Sequence, residues 1–203
     1  MQALAPSVTL WTGRHPDHPT IVVDDFGVRY DGGDRADQVD PYFEVLRERW
    51  GGTPTGTPLY GVFDPEVQWR AADRLLCAHC EAQPDREPGS GMLWLLRADH
   101  DEHAWPADIR TTTPPICRDH AEMAIGRCSM LRHGHLAVRV PEVQQVGVLG
   151  TLYTDGGPGD ADQLVMLTDS RLRFVLARYL VLELRGAVPD PDLTRPPALG
   201  EYA

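Results

Sequence analysis

The sequence predicts an α+β fold, with small antiparallel sheets around a metal-centred core and a covering helix near the C-terminus. Three observations predict it. Two short pairs of metal-ligand type, Cys77-Ala-His-Cys80 and Cys117-Arg-Asp-His120, flank an apolar run, Met92-Leu-Trp-Leu-Leu96. Short apolar stretches alternate with clusters of glycine, proline and aspartate, as strands and turns do. Asp64-Pro65 and Thr168-Asp169 each open a segment with apolar side chains at helical spacing.

Taken in order, residues 1–19 read as an irregular lead-in. Thr20-Ile-Val-Val23 and Gly27-Val-Arg-Tyr30 form a hairpin about Asp24-Asp25. Asp40-Pro41 starts a helix bearing Tyr42, Phe43, Leu46 and Trp50, and Gly51-Gly52 ends it. Turn residues from Thr53 to Pro58 then separate an N-terminal hairpin-plus-helix region, 1–58, from a zinc-centred core domain, 59–186. The helix opened by Asp64-Pro65 places Val67, Ala71 and Leu75 on one face and runs into Cys77, so the metal is expected to fix its end. Residues 92–96 form a strand, and 97–110 an acidic connection holding His100 and His103. Thr111 to Pro115 leads into a helix carrying Cys117 and His120 on its first turn. Strands come next at 136–140, 143–153 and 164–167. A final helix over 170–185 carries Leu172, Val175, Leu176, Tyr179, Leu180 and Leu184, and residues 187–203 form a proline-rich flexible tail.

Cys77, Cys80, Cys117 and His120 together make one zinc site. Zinc takes thiolate and imidazole donors in a tetrahedron, and four protein donors make a closed, structural site with no position left for catalytic water. Cys128, eight residues beyond His120, reads as core, and His79 inside the first pair as solvent-facing. A Cys-x-x-Cys knuckle, a strand-bearing connection and a helix with the second pair resemble the treble-clef zinc fold over residues 75–128. The whole chain also resembles small uncharacterised actinobacterial proteins with the same two pairs. Many treble-clef relatives are His-Asn-His endonucleases, which places Asp99-His100 at a suggestive position. The chain has no asparagine, however, and His120 is already used as a zinc donor. His15 and His18, beside Asp17, Asp24 and Asp25, read as solvated surface. Arg127, Arg132, His133, His135 and Arg139 form a candidate binding patch, set against the simpler reading of cations at a helix end.

The 203 residues are 42% hydrophobic and 24% charged, a globular composition. All 19 basic residues are arginine, and the absence of lysine and asparagine points to a GC-rich genome. The formal net charge of −11 disfavours nucleic acid and anionic membranes as partners. No apolar run approaches the ~20 residues that span a bilayer. Met1-Gln-Ala-Leu-Ala-Pro6 has no secretory pattern, so a cytoplasmic setting is expected, where Cys-x-x-Cys binds metal or cycles electrons. The leading functional expectation is a non-enzymatic interaction or regulatory protein with a protein partner. The alternatives are a nucleic-acid-binding or His-Asn-His-like nuclease protein and a small-molecule enzyme of specialised metabolism with structural zinc.

Overall fold

The computed structural model describes residues 5–17, 19–97, 109–132, 134–154 and 156–194. Strands dominate, helices are few and the sheets are small. In chain order the elements are β1 (Thr9–Trp11), β2 (Arg14–Pro16), β3 (Ile21–Asp24), β4 (Gly27–Tyr30), β5 (Leu46–Arg47), β6 (Trp50–Gly52), β7 (Pro58–Phe63) and α1 (Pro65–Asp73). Next come β8 (Arg86–Glu87), β9 (Gly91–Arg97), β10 (Ile109–Thr111), α2 (Arg118–Arg127), α3 (Ser129–Arg132) and β11 (His135–Val140). The last are β12 (Glu142–Thr154), β13 (Gly157–Pro158), β14 (Gln163–Met166), β15 (Val175–Arg185) and β16 (Val188–Pro189). The chain divides into two compact units, one of residues 1–7, 70–145 and 182–203, the other of residues 8–69 and 146–181.

In the unit of residues 8–69 and 146–181, β3 and β4 form the expected hairpin, paired from Ile21↔Tyr30 to Asp24↔Gly27. Asp24 closes it by accepting the Phe26 N–H at 2.9 Å. Val28, Tyr30 and Leu46 are buried together, with Ile21, Val23, Tyr153 and Leu176 packed against them.

The helix expected from Asp40 does not form. Asp40 does cap a turn, accepting the N–H groups of Tyr42 at 3.0 Å and Phe43 at 3.2 Å. The chain then turns out of the helix at Glu44, in the left-handed region at φ 54. Leu46–Arg47 runs parallel to Leu176–Ala177, and Trp50–Gly52 pairs with Arg14–Pro16. Burial of Val45 and Leu46 in that pairing overrides the local helical spacing.

The covering helix expected over 170–185 is also replaced. Asp169 caps as read, accepting the Arg171 N–H at 2.8 Å, but only the short 3-10 turn Ser170–Phe174 precedes β15. Leu180 and Val181 are both buried, as in a strand covered on two faces, which reads in sequence as a near-continuous apolar run. Gln68 of α1 takes the place of a strand neighbour there. Its buried amide donates to the Leu180 carbonyl at 2.9 Å and accepts the Leu180 N–H at 3.1 Å.

Two tyrosines, Tyr30 buried and Tyr179 partly buried, make this unit sensitive to alkali. Burial pushes Tyr30 and Tyr179 from the ordinary phenol value of 10.0 up to about 12. Their hydroxyls donate to the carbonyls of Arg47 at 2.6 Å and Phe63 at 2.9 Å. The folded state therefore holds these protons more tightly than the unfolded chain. This contribution is complete below pH 10.0 and is lost as pH rises toward about 12. Thermal midpoints measured across that window should fall. Tyr30→Phe with Tyr179→Phe should lower the neutral-pH midpoint and flatten the alkaline decline.

In the unit of residues 1–7, 70–145 and 182–203, β9 lies inside a four-stranded antiparallel sheet of order β16-β11-β9-β8. The expected strands at 92–96 and 136–140 are these central two, in register from Met92↔Val140 to Arg97↔His135. One sheet face carries Leu93, Leu95 and Ala137 against Ile116 and Ala121, with Ala124 and Ile125 of α2 packed alongside. Trp94 is fully buried and its indole N–H donates to the Thr113 carbonyl at 2.9 Å. Gly91 opens β9 at φ 93, and a Cβ there would run into the Val140 carbonyl. Gly91→Ala should cost about 1–3 kcal/mol from the backbone conformation alone, read as a lower denaturant midpoint.

Part of the segment read as a flexible tail is built into this unit. Val188 and Pro189 pair with β11, Asp190 is buried, and Leu193 belongs to the apolar cluster under the sheet. Residues 195–203 lie outside the described residues.

Candidate metal centre

All four candidate donors fall in the same unit, and the local fold explains their convergence. Helix α1 (Pro65–Asp73) ends short of Cys77 in a backbone motif of its own. The Leu76 N–H bonds to the Ala71 carbonyl at 2.8 Å, and Leu75 sits in the left-handed region at φ 52. This is a Schellman-type end with leucine where glycine is usual. The chain then enters a tight knuckle. Glu81 N–H bonds to the Cys77 carbonyl at 2.8 Å, and Cys77 N–H to the Ala82 carbonyl at 2.8 Å. The knuckle is tied to its surroundings at two points: Ala78 N–H to the Pro115 carbonyl at 2.8 Å, and the Ser7 N–H and hydroxyl to the His79 carbonyl at 3.0 and 2.6 Å.

The second pair sits at the start of α2, which begins at Arg118, two residues later than the sequence suggests, so that Cys117 precedes the helix instead of lying on its first turn. Cys117 is the extended N-cap residue (φ −71, ψ 150), and His120 lies in the first helical turn. Ile116 N–H bonds to the Leu93 carbonyl at 2.9 Å, which fixes the helix start against β9.

These constraints bring the Sγ atoms of Cys77, Cys80 and Cys117 and a ring nitrogen of His120 within 4.8 Å of one another. Cys80 Sγ lies 3.9 Å from Cys117 Sγ, and Cys77 Sγ lies 3.7 Å from His120 Nδ1. A tetrahedron of bonds about 2.0–2.3 Å long has edges of about 3.3–3.8 Å, so the donor set fits a tetrahedral ion. Cys77 is fully buried and accepts the N–H groups of His79 at 3.4 Å and Cys117 at 3.3 Å. Burial pushes its thiol up, but the N–H groups of Cys117, Cys80 and His79 outweigh burial and hold it below 9.0. Cys117 is pushed up to about 12, first by burial and then by the neighbouring sulfurs of Cys77 and Cys80. Three thiolates this close need a cation among them to coexist.

His79 is not solvent-facing as expected. It is buried and stacks on His120, with ring centroids 4.2 Å apart and planes 8° from parallel. Its neighbour in the fold sits 41 positions on in sequence, so spacing alone gave no signal for the stack. Cys128 is partly buried and packs on the apolar cluster.

The described side chains of the candidate basic patch are divided between surface and interior. Arg127 is exposed. His135 is buried, its two ring nitrogens 3.0 Å from the Leu131 carbonyl and 2.6 Å from that of Leu193. Arg139, with its side chain 3% exposed, pairs with Asp85, with Glu87 at 2.8 Å and with Asp190 at 3.0 Å. His133, the Arg132 side chain, His18, His100 and His103 lie outside the described residues. His15 is exposed, 3.9 Å from Asp17.

Fold and site together define a mixed helix-and-sheet chain with a Cys3His cluster able to hold a metal ion. Comparison with protein-family models, with curated proteins and with solved structures finds no match to this chain. No helix among the described residues is long and apolar enough to cross a membrane.

Proposed function

We propose that this is a zinc-stabilised, non-enzymatic interaction or regulatory protein of the cytoplasm that binds a protein partner. The observation that carries the proposal is the convergence of Cys77, Cys80, Cys117 and His120, four donors that would fill every position of a tetrahedral ion and leave none for water or substrate. Three sulfurs and one imidazole suit zinc. The order of knuckle, short hairpin β8–β9 and helix α2 bearing the second pair supports a treble-clef-like core.

Several features favour a protein partner. Leu59, Tyr60 and Val62 of β7 are 39%, 58% and 43% exposed, on a strand paired with only three residues of β1. Exposed apolar side chains in series mark interaction surfaces. The net charge of −11 opposes nucleic acid, and the burial of His135 and Arg139 removes support for a basic groove. Four free cysteines suit a reducing compartment.

Affinity capture of the full chain from its native cell, with and without nuclease, tests this reading. A protein recovered equally under both conditions, and lost with Tyr60→Asp and Val62→Asp, is expected. Recovery of nucleic acid, or of a partner indifferent to both substitutions, overturns it.

A further inference from the structure

The three sulfurs of the metal centre are not equally accessible. Cys77 is fully buried, joins the apolar cluster under the sheet, and has its Sγ engaged by two backbone N–H groups. Cys117 is partly buried, and Cys80 is exposed. Cys80 Sγ lies 3.9 Å from Cys117 Sγ. We infer that Cys80 is the site at which a hydroperoxide oxidises this centre, and that the product is a Cys80–Cys117 disulfide rather than a closed Cys77–Cys80 pair. The inference rests on the zinc reading above, because coordination keeps all three cysteines as thiolates.

The chemistry runs in two steps. The Cys80 thiolate attacks the peroxide oxygen and the O–O bond breaks. Cys80 becomes a sulfenic acid, and the alkoxide or hydroxide leaves with a proton as alcohol or water. The Cys117 thiolate then attacks Cys80 Sγ, forming the S–S bond and expelling hydroxide, which takes a second proton and leaves as water. Two thiolates lose two electrons and the peroxide gains them.

Cys117 is favoured as the resolving thiol by position. Closing its 3.9 Å gap to the roughly 2.05 Å of a disulfide requires a small shift at an exposed knuckle residue. Cys77 would have to leave its two N–H donors and its place in the core. Only Cys77 and His120 then remain as donors, too few to retain a tetrahedral ion. The new bond joins the knuckle to α2 across 37 positions, so the covalent link replaces the metal link between the same two elements.

The test uses the full chain with Cys128→Ala, which removes the one thiol outside the donor set. Reduced protein is assayed for zinc, then titrated with hydrogen peroxide while a chromophoric chelator reports released zinc. Tryptic peptides are mapped without reduction. Cleavage at arginine places Cys77 and Cys80 together on peptide 75–86 and Cys117 on peptide 111–118. The expected result is one bound zinc, released in step with about one equivalent of peroxide. The two peptides should become linked, with fragmentation placing the bond at Cys80, and a dithiol should restore zinc binding. Zinc that binds but survives excess peroxide, or a bond closed within peptide 75–86, overturns the inference and leaves the zinc reading standing. Reduced protein that binds no zinc overturns both.

Discussion

Cys77→Ser is expected to yield protein that binds no zinc and is insoluble or rapidly proteolysed. Cys77 is both a proposed donor and a core residue. It is fully buried, shares an apolar cluster with Leu93, Leu95, Ile116 and Ala121, and receives N–H groups from both the knuckle and the start of α2. A serine hydroxyl is a poor zinc ligand, and it would place a polar atom in that cluster. Metal binding by a closed site of this type is itself folding free energy, on the order of 10 kcal/mol in small peptides. That is comparable to the whole stability of an ordinary domain, about 5–15 kcal/mol, so no other single site here should have so large an effect. Cys117→Ser should behave alike. Cys128→Ala, which packs on the same cluster but donates nothing to the ion, should remain soluble and zinc-loaded. Limited proteolysis beside zinc analysis separates these outcomes. A soluble, cooperatively folding, zinc-free Cys77→Ser protein would contradict the structural role.

Arg139→Met should produce the second-largest loss. The guanidinium is held between Asp85 and Glu87 at the β8 side of the sheet and Asp190 beyond β16. The Asp190 side chain is 5% exposed, so removing Arg139 strands a carboxylate away from water. Arg118, 3.6 Å from Asp190, compensates only in part. Breaking a buried pair from one side costs about 3–5 kcal/mol, mostly the penalty of the uncompensated charge. Asp190→Asn combined with Arg139→Met should therefore cost less than the sum of the two singles. Denaturant midpoints of the zinc-loaded proteins give the double-mutant cycle directly, and additive losses would show that Asp190 and Arg139 are not coupled.

The donor set was legible in sequence because metal coordination constrains residue type and short spacing at once. Knuckle and helix start are local structures, so Cys77, Cys80, Cys117 and His120 could be paired without knowing the fold. The hairpin at 21–30 and the strands at 92–96 and 136–140 were legible for a related reason, since turn residues bracket them. Failures arose where a distant neighbour decides. Asp40 and Asp169 both cap as their sequences suggest, yet each cap leads into strand, because Leu46 pairs with Leu176 and Leu180 with the Gln68 amide. The same holds for charge. Arg139 resembles part of a basic surface until Asp85 and Asp190, 54 and 51 positions away, close around it. Residues 188–194 have the composition of a tail, but Leu193 and Asp190 anchor them beneath and beside β11.

The zinc X-ray absorption spectrum of the full chain, purified without chelator, tests the central claim most directly. One zinc per chain is predicted, with three sulfurs at about 2.3 Å, one nitrogen at about 2.0 Å and no bound water. Absence of zinc, or a first shell dominated by oxygen and nitrogen, would contradict a closed Cys3His centre.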